Sequence, residues 1–430
     1  MMDRDKRRKT MTKTVYVIGS TNESINACIL LATLQYQVIL LTDDDSLQQV
    51  MNDYQFDRQM VLLWQLYQSQ GNIITQPLPT NDFSAYVSAD DIWLFVDGVS
   101  AQALEQFGSF HFNPTTQIII SGVKAMGEIE QFARKLTTTW VYYLPFIFMK
   151  DGANFSSFFQ ADLALIGEKT QGSSAHNNIL LFFIEKSDKH FITDIKTAEF
   201  ARSSIMGMLA TRLSFMNEMA RLAASEQVNI KQVEQILGLD KRIGKDYLKA
   251  GWGFGGKSLP LELDFLIDGF KHNQVETSLL EAVKSINEDQ KELIFREFWQ
   301  YFDGFIENKT VMIWGSGYRN GTGRTTHSAF HPLIKLLWSY NIKTIVYANN
   351  TKEELLELYG NQPLFSLTDD AYAPLTQVQA LFIVNWSLPI KPDINRLNNI
   401  ALPIFDAKNT LTEPQIQQLV GFYTGIGCKK

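Results

Sequence analysis

The chain has 430 residues, too many for one ordinary core, so two or three domains are expected. Its 45% hydrophobic and 20% charged residues are those of a globular protein. A net charge of −7 disfavours a nucleic-acid partner, which needs a basic face, and no run of eighteen apolar residues exists to span a membrane.

Residues 1–12 hold the one basic run, Arg4 to Lys9, and read as a disordered, solvated tail. No apolar stretch follows it, so it is not a secretory signal. Met11 directly precedes the first strand, which marks the first ten residues as an upstream extension. KTVYVIGS (13–20) is a buried strand ending at a glycine turn. A helix over 24–35 follows, with Ile25, Cys28, Ile29 and Ala32 on one face, and then a strand at 37–42. That is a βαβ unit. Further buried strands are predicted at 92–96, 117–120, 140–144 and 163–166, which argues a parallel, doubly wound sheet. The two cysteines are Cys28, expected in the core, and Cys428 in the terminal tail. They make no disulfide framework, and a reducing, cytoplasmic compartment fits.

From 196 to 237 the pattern is continuously helical, with Ile205, Met208, Leu209, Leu213, Met216 and Ala220 at three-four spacing. Such a helix packs between domains or against a second subunit, so a homodimer is predicted. Another helix is expected over 275–300. A second α/β segment starts at 309, with a strand into a glycine turn (KTVMIWGSG), a helix at 328–340 and strands at 343–348, 380–385 and 402–409. The fold class is α/β: two Rossmann-like, doubly wound parallel-sheet domains joined by a long central helical region. The expected boundaries are 13–195 for a dinucleotide-binding-like domain, 196–300 for the helical, dimerising domain and 301–430 for the second α/β domain.

The stretch from Ala198 to Glu262 contains AEFARSSIMGMLATRLSFMNEMA, then KRIG, then YLKAGWGFGGKSLPLE. It resembles the central signature of the UDP-glucose/GDP-mannose dehydrogenase family. There a helix carries Ala-Glu, a lysine, an asparagine and Ser-Phe-x-Asn-Glu, and a glycine-rich loop ends in Ser-Cys-x-Pro-Lys-Asp. GSGYRNGTGRTTHSAF (315–330) and FDAKN (405–409) resemble segments of the family's third domain, so the resemblance covers nearly the whole chain. It implies NAD as cofactor and a nucleotide sugar such as UDP-glucose as substrate. In the family's reaction two NAD molecules oxidise the sugar C6 alcohol to an acid through a cysteine thioester. A thiol suits this because part of it ionises near neutral pH. A lysine and an asparagine stabilise charge on the substrate oxygen, and a glutamate and a threonine-held water serve the hydrolysis.

Ser258 stands at the cysteine position, Arg202 at the lysine, Met206 at the asparagine, Phe146 at the glutamate and Gly122 at the threonine. Leu261 and Glu262 replace the Lys-Asp pair. A serine hydroxyl needs an adjacent base to attack, arginine is bulkier than lysine, and methionine cannot hold an oxyanion. The family's Gly-x-Gly-x-x-Gly cofactor turn reads Gly19-Ser20-Thr21-Asn22-Glu23-Ser24 here, so only Gly19 remains. Thr21 adds a β-carbon and Glu23 a negative charge where the pyrophosphate of NAD belongs. Thr42 falls at the ribose-binding acidic position, with Asp43 one residue later, and Asp97 enters a normally apolar strand end. The nucleotide-sugar side is better kept. Tyr247, Leu248, Gly251, Gly253 and Gly255 follow the substrate loop, and Arg242 is retained. Arg319 at a family lysine and Lys408 at a family arginine keep charge for a phosphate.

These residues favour a UDP-glucose 6-dehydrogenase-like protein with impaired catalysis, a UDP-sugar-binding pseudoenzyme or partner subunit in polysaccharide synthesis. The alternative is an active NAD-dependent UDP-sugar dehydrogenase with altered chemistry, since oxidation of an alcohol to an aldehyde needs no thiol. A third reading is a purely architectural dimeric module built on the central helices.

Overall fold

The computed structural model describes residues 13–55, 57–79, 82–147, 154–256, 258–318, 323–348, 350–386 and 391–429. The basic tail, Arg319 and residues 148–153 of the segment after Pro145 lie outside them. The chain divides into two compact units between Ser203 and Ser204.

In the first unit the strands are β1 (Thr14–Ile18), β2 (Gln37–Thr42), β3 (Ile73–Pro77), β4 (Asp91–Phe95), β5 (Gln117–Ser121), β6 (Val141–Tyr143), β7 (Ala164–Glu168) and β8 (His190–Asp194). Between them run α1 (Asn22–Thr33), α2 (Asp44–Asp53), α3 (Arg58–Ser69), α4 (Ala101–Ser109), α5 (Glu128–Lys135), α6 (Asn154–Phe159) and α7 (Asn178–Lys186). The sheet order is β3-β2-β1-β4-β5-β6-β7-β8. Its first six strands are parallel, and their order is that of a dinucleotide-binding half-fold continued past a switch point between β1 and β4. β6 and β7 pair antiparallel, a departure from the expected all-parallel sheet. The expected β1–α1–β2 unit forms because Val15, Val17, Ile25, Cys28, Ile29, Val38 and Leu40 share one core. β3 and β8 gave no apolar signal because both are edge strands that leave most of their residues exposed or half-buried.

The second unit takes most of α8 (Ile195–Ser225), then α9 (Ile230–Leu239), α10 (Ser258–His272), α11 (Ser278–Gln290) and α12 (Leu293–Tyr301). Its sheet strands are β9 (Thr310–Trp314), β10 (Lys343–Tyr347), β11 (Phe365–Thr368), β12 (Ala380–Ile383), β13 (Ile404–Asp406), β14 (Tyr423–Gly425) and β15 (Cys428–Lys429). The helices α13 (Phe330–Ser339), α14 (Lys352–Tyr359), α15 (Ile394–Asn398) and α16 (Glu413–Gln418) connect them. The order is β11-β10-β9-β12-β13-β14-β15, parallel except for the last hairpin.

Two expected helices are each broken in two. The one over 196–237 stops at Ser225 because Gln227 turns left-handed (φ 56°) and the Val228 N–H bonds the Ala223 carbonyl at 2.8 Å. The Asn229 side chain then accepts from Lys231 N at 3.0 Å and starts α9. The one over 275–300 breaks after Gln290, where Lys291 N and Glu292 N bond carbonyls three residues back and tighten the turn.

Candidate functional site

In the first unit, the crevice at the carboxyl ends of β1 and β4 is where an open parallel sheet binds ligands. Gly19 ends β1 at φ +103°, and a Cβ there would sit 2.8 Å from the Phe95 carbonyl oxygen, so only glycine fits. The Ser20 N–H donates to the Gly98 carbonyl at 3.0 Å. Thr21 is the N-cap of α1: its hydroxyl accepts from Ser24 N at 3.0 Å, and Ser24 Oγ accepts from Thr21 N at 2.9 Å. Thr21, Asn22 and Ser24 are buried, and Glu23 lies in the first turn. A carboxylate there suits the helix dipole and opposes a phosphate. Thr42 is buried, bonds Ser20 Oγ and donates to the Asp43 carbonyl. Asp43 caps α2 by accepting from Ser46 N at 2.7 Å. The cap, the β-carbon of Thr21 and the charge of Glu23 all lie in the turn that the pyrophosphate of a dinucleotide would approach, and each opposes that approach.

The neighbouring strand ends are matched to one another. A Cβ on Gly122 (φ +103°) would fall 2.3 Å from Asp97 Oδ1, so the Asp97 carboxylate takes the space that a side chain at 122 would fill. The Tyr143 hydroxyl donates to the Gly122 carbonyl at 3.1 Å. Burial pushes the Tyr143 phenol up, against the pull of the nearby Arg202 charge, and Arg202 is itself buried. Phe146 stacks on Phe158 at 4.1 Å and joins Trp93 and Phe183 in the aromatic core. Glu199, of the Ala-Glu pair, accepts from Gly127, Ile129 and Glu130 N–H groups and so caps α5.

In the second unit the loop from Ala250 to Gly256 is held from behind by side-chain amides. Asn217 Oδ1 accepts from Gly251 N at 2.9 Å, and Gln290 Nε2 donates to Gly251 O at 2.8 Å. Asn287 accepts from Phe254 N at 2.7 Å and donates to Phe254 O at 3.1 Å. Trp252 Nε1 donates to the Lys291 carbonyl, and Gly256 bonds Thr326 O and His327 Nδ1. Leu248, Ala250 and Trp252 sink into the larger core and Phe254 into a second cluster. The glycines are required by closeness: a Cβ on Gly255 would lie 2.4 Å from the His327 carbonyl, and one on Gly253 2.9 Å from Asn287 Oδ1.

Lys408 joins this loop. Asp406 is wholly buried and accepts from Lys408 N at 3.1 Å, Leu411 N at 3.0 Å and the Tyr423 hydroxyl at 3.1 Å. Burial raises the Asp406 carboxyl, and those hydrogen bonds oppose the rise. The turn so fixed lays the Lys408 stem against Gly251 and lines a narrow crevice with Lys408, Trp252, Gly253, Phe254, Gly255, Gly317, Tyr318 and Ser328. Among the described residues no carboxylate meets the Lys408 ammonium, and burial alone lowers its pKa to about 8.

Of the other expected residues, Tyr247 is exposed at φ 59° and Leu248 is buried. Arg242 does not line the crevice; it is exposed and pairs with Asp240 at 2.6 Å. Met206 is buried as a packing residue. Ser258 begins α10, exposed, and no described residue hydrogen-bonds its hydroxyl. Asn217 lay in the quoted Ser-Phe-x-Asn-Glu motif, but Asn287 and Gln290 were missed. Their only signal is an amide on the buried face of an amphipathic helix.

Residues 196–289 match the central domain of the UDP-glucose/GDP-mannose dehydrogenase family. The chain is 28% identical over 287 residues to a UDP-glucose 6-dehydrogenase of Pseudomonas aeruginosa, covering 65% of this chain and 63% of that protein. It is 27% identical to one of Rickettsia bellii, with 66% of each chain covered. The matched part thus spans just under two thirds of these relatives' length. In fold it is similar to a UDP-glucose dehydrogenase of Pyrobaculum islandicum (TM-score 0.79, 18% identity, 98% of this chain and 99% of that one). It is also similar to a UDP-D-ManNAc dehydrogenase of Pyrococcus horikoshii (TM-score 0.76, 17% identity, 96% and 99%). Among the described residues no helix is long and apolar enough to cross a membrane, and no acidic, histidine and cysteine cluster is arranged to hold a metal.

Proposed function

We propose that this chain is a member of the UDP-glucose/GDP-mannose dehydrogenase family, whose central domain is matched by residues 196–289, and that it binds a UDP-glucose-like nucleotide sugar but does not carry out that family's NAD-dependent, four-electron oxidation. The observation that carries the binding half is Lys408, a cation with no carboxylate partner among the described residues, set against a loop of glycine backbone. A diphosphate supplies the missing counter-charge, and glycines let its oxygens approach the main chain. Arg319, outside the described residues, adds a second positive charge on the same reading.

Two features support the loss of oxidation. The dinucleotide crevice is occupied by the chain's own cap and an acidic side chain. Ser258 has no described base to ionise it, so the covalent step of the family has no nucleophile. Its role is then as a nucleotide-sugar-binding pseudoenzyme or partner subunit in polysaccharide synthesis, in a reducing, cytoplasmic compartment.

The dimer proposal rests on Met208, Phe215 and Leu222, exposed apolar residues at seven-residue spacing on α8. That spacing places them on one helix face for a second copy of the chain to cover. Incubating purified protein with UDP-glucose and NAD should yield no uronate; steady uronate formation at an enzymatic rate would overturn the reading.

A further inference from the structure

Gly251 is fixed at both its backbone groups, and the two clamps differ. Asn217 holds the N–H directly from α8. The carbonyl is held by Gln290, the wholly buried last residue of α11, whose amide has a second neighbour: Oε1 accepts from Arg221 Nε at 3.0 Å and Nη2 at 2.8 Å. A guanidinium has only donors, so it fixes which way the amide faces and leaves Nε2 to donate to Gly251. The charge on Arg221 also polarises that amide in a water-poor setting, which strengthens the bond it donates. Arg221 is set from its other side by Asp289, whose Oδ2 lies 2.5 Å from Nη1 while its Oδ1 accepts from Arg296 at 2.6 Å. Packing does not hold Arg221 in place, because it lines a cavity of about 300 Å³ with Ala220, Leu293 and Glu297.

We propose that Arg221 and Gln290 are positioning residues for the nucleotide-sugar loop: a charge relay from α8 through α11 sets the height of Gly251 and, with it, the gap beside Lys408. The Lys408 stem runs close by Gly251, since its Cδ lies 3.9 Å from where a Cβ on Gly251 would be. This rests on the binding reading given above. Neither residue touches the crevice, so their effect on a ligand passes through the loop backbone.

The test uses Gln290→Met, which keeps the length of the side chain and removes both hydrogen-bonding ends, and Arg221→Met, which leaves Gln290 unpolarised. Arg221→Lys keeps the charge but not the paired donors. Two quantities are measured in the full chain: amide hydrogen exchange across residues 249–256, and UDP-glucose affinity by calorimetry. With its carbonyl released, residue 251 should also part more often from Asn217, so exchange at the Gly251 N–H should quicken in both methionine variants while Phe254, held by Asn287, stays protected; affinity should fall about tenfold, with Arg221→Lys in between. Unchanged exchange at Gly251 in the folded variants, or a fall in melting temperature alone, overturns the proposal. If the wild-type chain binds no UDP-glucose, the ligand reading fails by itself, and the exchange pattern still decides the relay.

Discussion

At the start of α1, the N–H groups of Ser20, Thr21 and Ser24 are bound by the chain itself, and Glu23 adds a negative charge in the first turn. In the loop from Ala250 to Gly256, side-chain amides hold both backbone groups of Gly251 and of Phe254 from behind, and the added charge is that of Lys408. Both are glycine turns of a kind that cradles phosphate. One has N–H groups of its helix start bonded by its own residues, and the other keeps bare glycines and a cation without a counter-charge among the described residues. On the proposed reading, the difference teaches that a phosphate site can be lost by internal satisfaction as well as by deletion, because a few side chains that bond one another and bring a negative charge leave the strand-turn-helix unaltered.

The largest expected effect comes from removing the cation. Lys408→Met should weaken UDP-glucose about ten- to a hundredfold, the worth of a charge-assisted hydrogen bond, and should raise the melting temperature of the ligand-free chain at neutral pH. Calorimetric titration and a thermal scan read the two opposite signs. Next is the support of the open loop: Asn287 is buried and serves both backbone groups of Phe254, so Asn287→Ala should cost about 2–3 kcal/mol by chemical denaturation and weaken the ligand with it.

The pH dependence sharpens the contrast further. The Lys408 pKa is about 8 in the folded chain against an ordinary value of 10.5. UDP-glucose affinity should therefore decline as pH rises through about 8. Between about 8 and 10.5 the unfolded chain binds the extra proton, so this group's penalty on folding is present in full below 8 and is relieved as pH rises through that window. Titrations over a pH series check the first, and denaturation midpoints the second. The smallest effect belongs to the closed turn. Thr21→Ala removes the cap of α1 and should cost about 1 kcal/mol in denaturant unfolding, with UDP-glucose affinity unchanged and no NAD binding gained.

Much of this was legible in the chain itself. The β1–α1–β2 unit declares itself because Val15, Val17 and Ile29 are apolar on every face that the sheet covers. The substrate loop stands out as glycines at 251, 253, 255 and 256 interleaved with Trp252 and Phe254. The Thr21–Ser24 cap is hidden in the sequence because both residues fall at glycine positions of the cofactor turn, where they read as losses and not as a cap. The break at Gln227 was hidden because apolar spacing continues across it, and only Asn229 announces the new helix. Gln290 and Arg221 could not be found at all: they are 69 residues apart, and no local pattern joins an arginine on one helix to an amide on another.

The account turns on the contrast between the two turns, and titrating one preparation with NAD and with UDP-glucose tests it most directly. It predicts saturable heat from UDP-glucose and none from NAD. Ordinary, saturable NAD binding to the unaltered chain would contradict it.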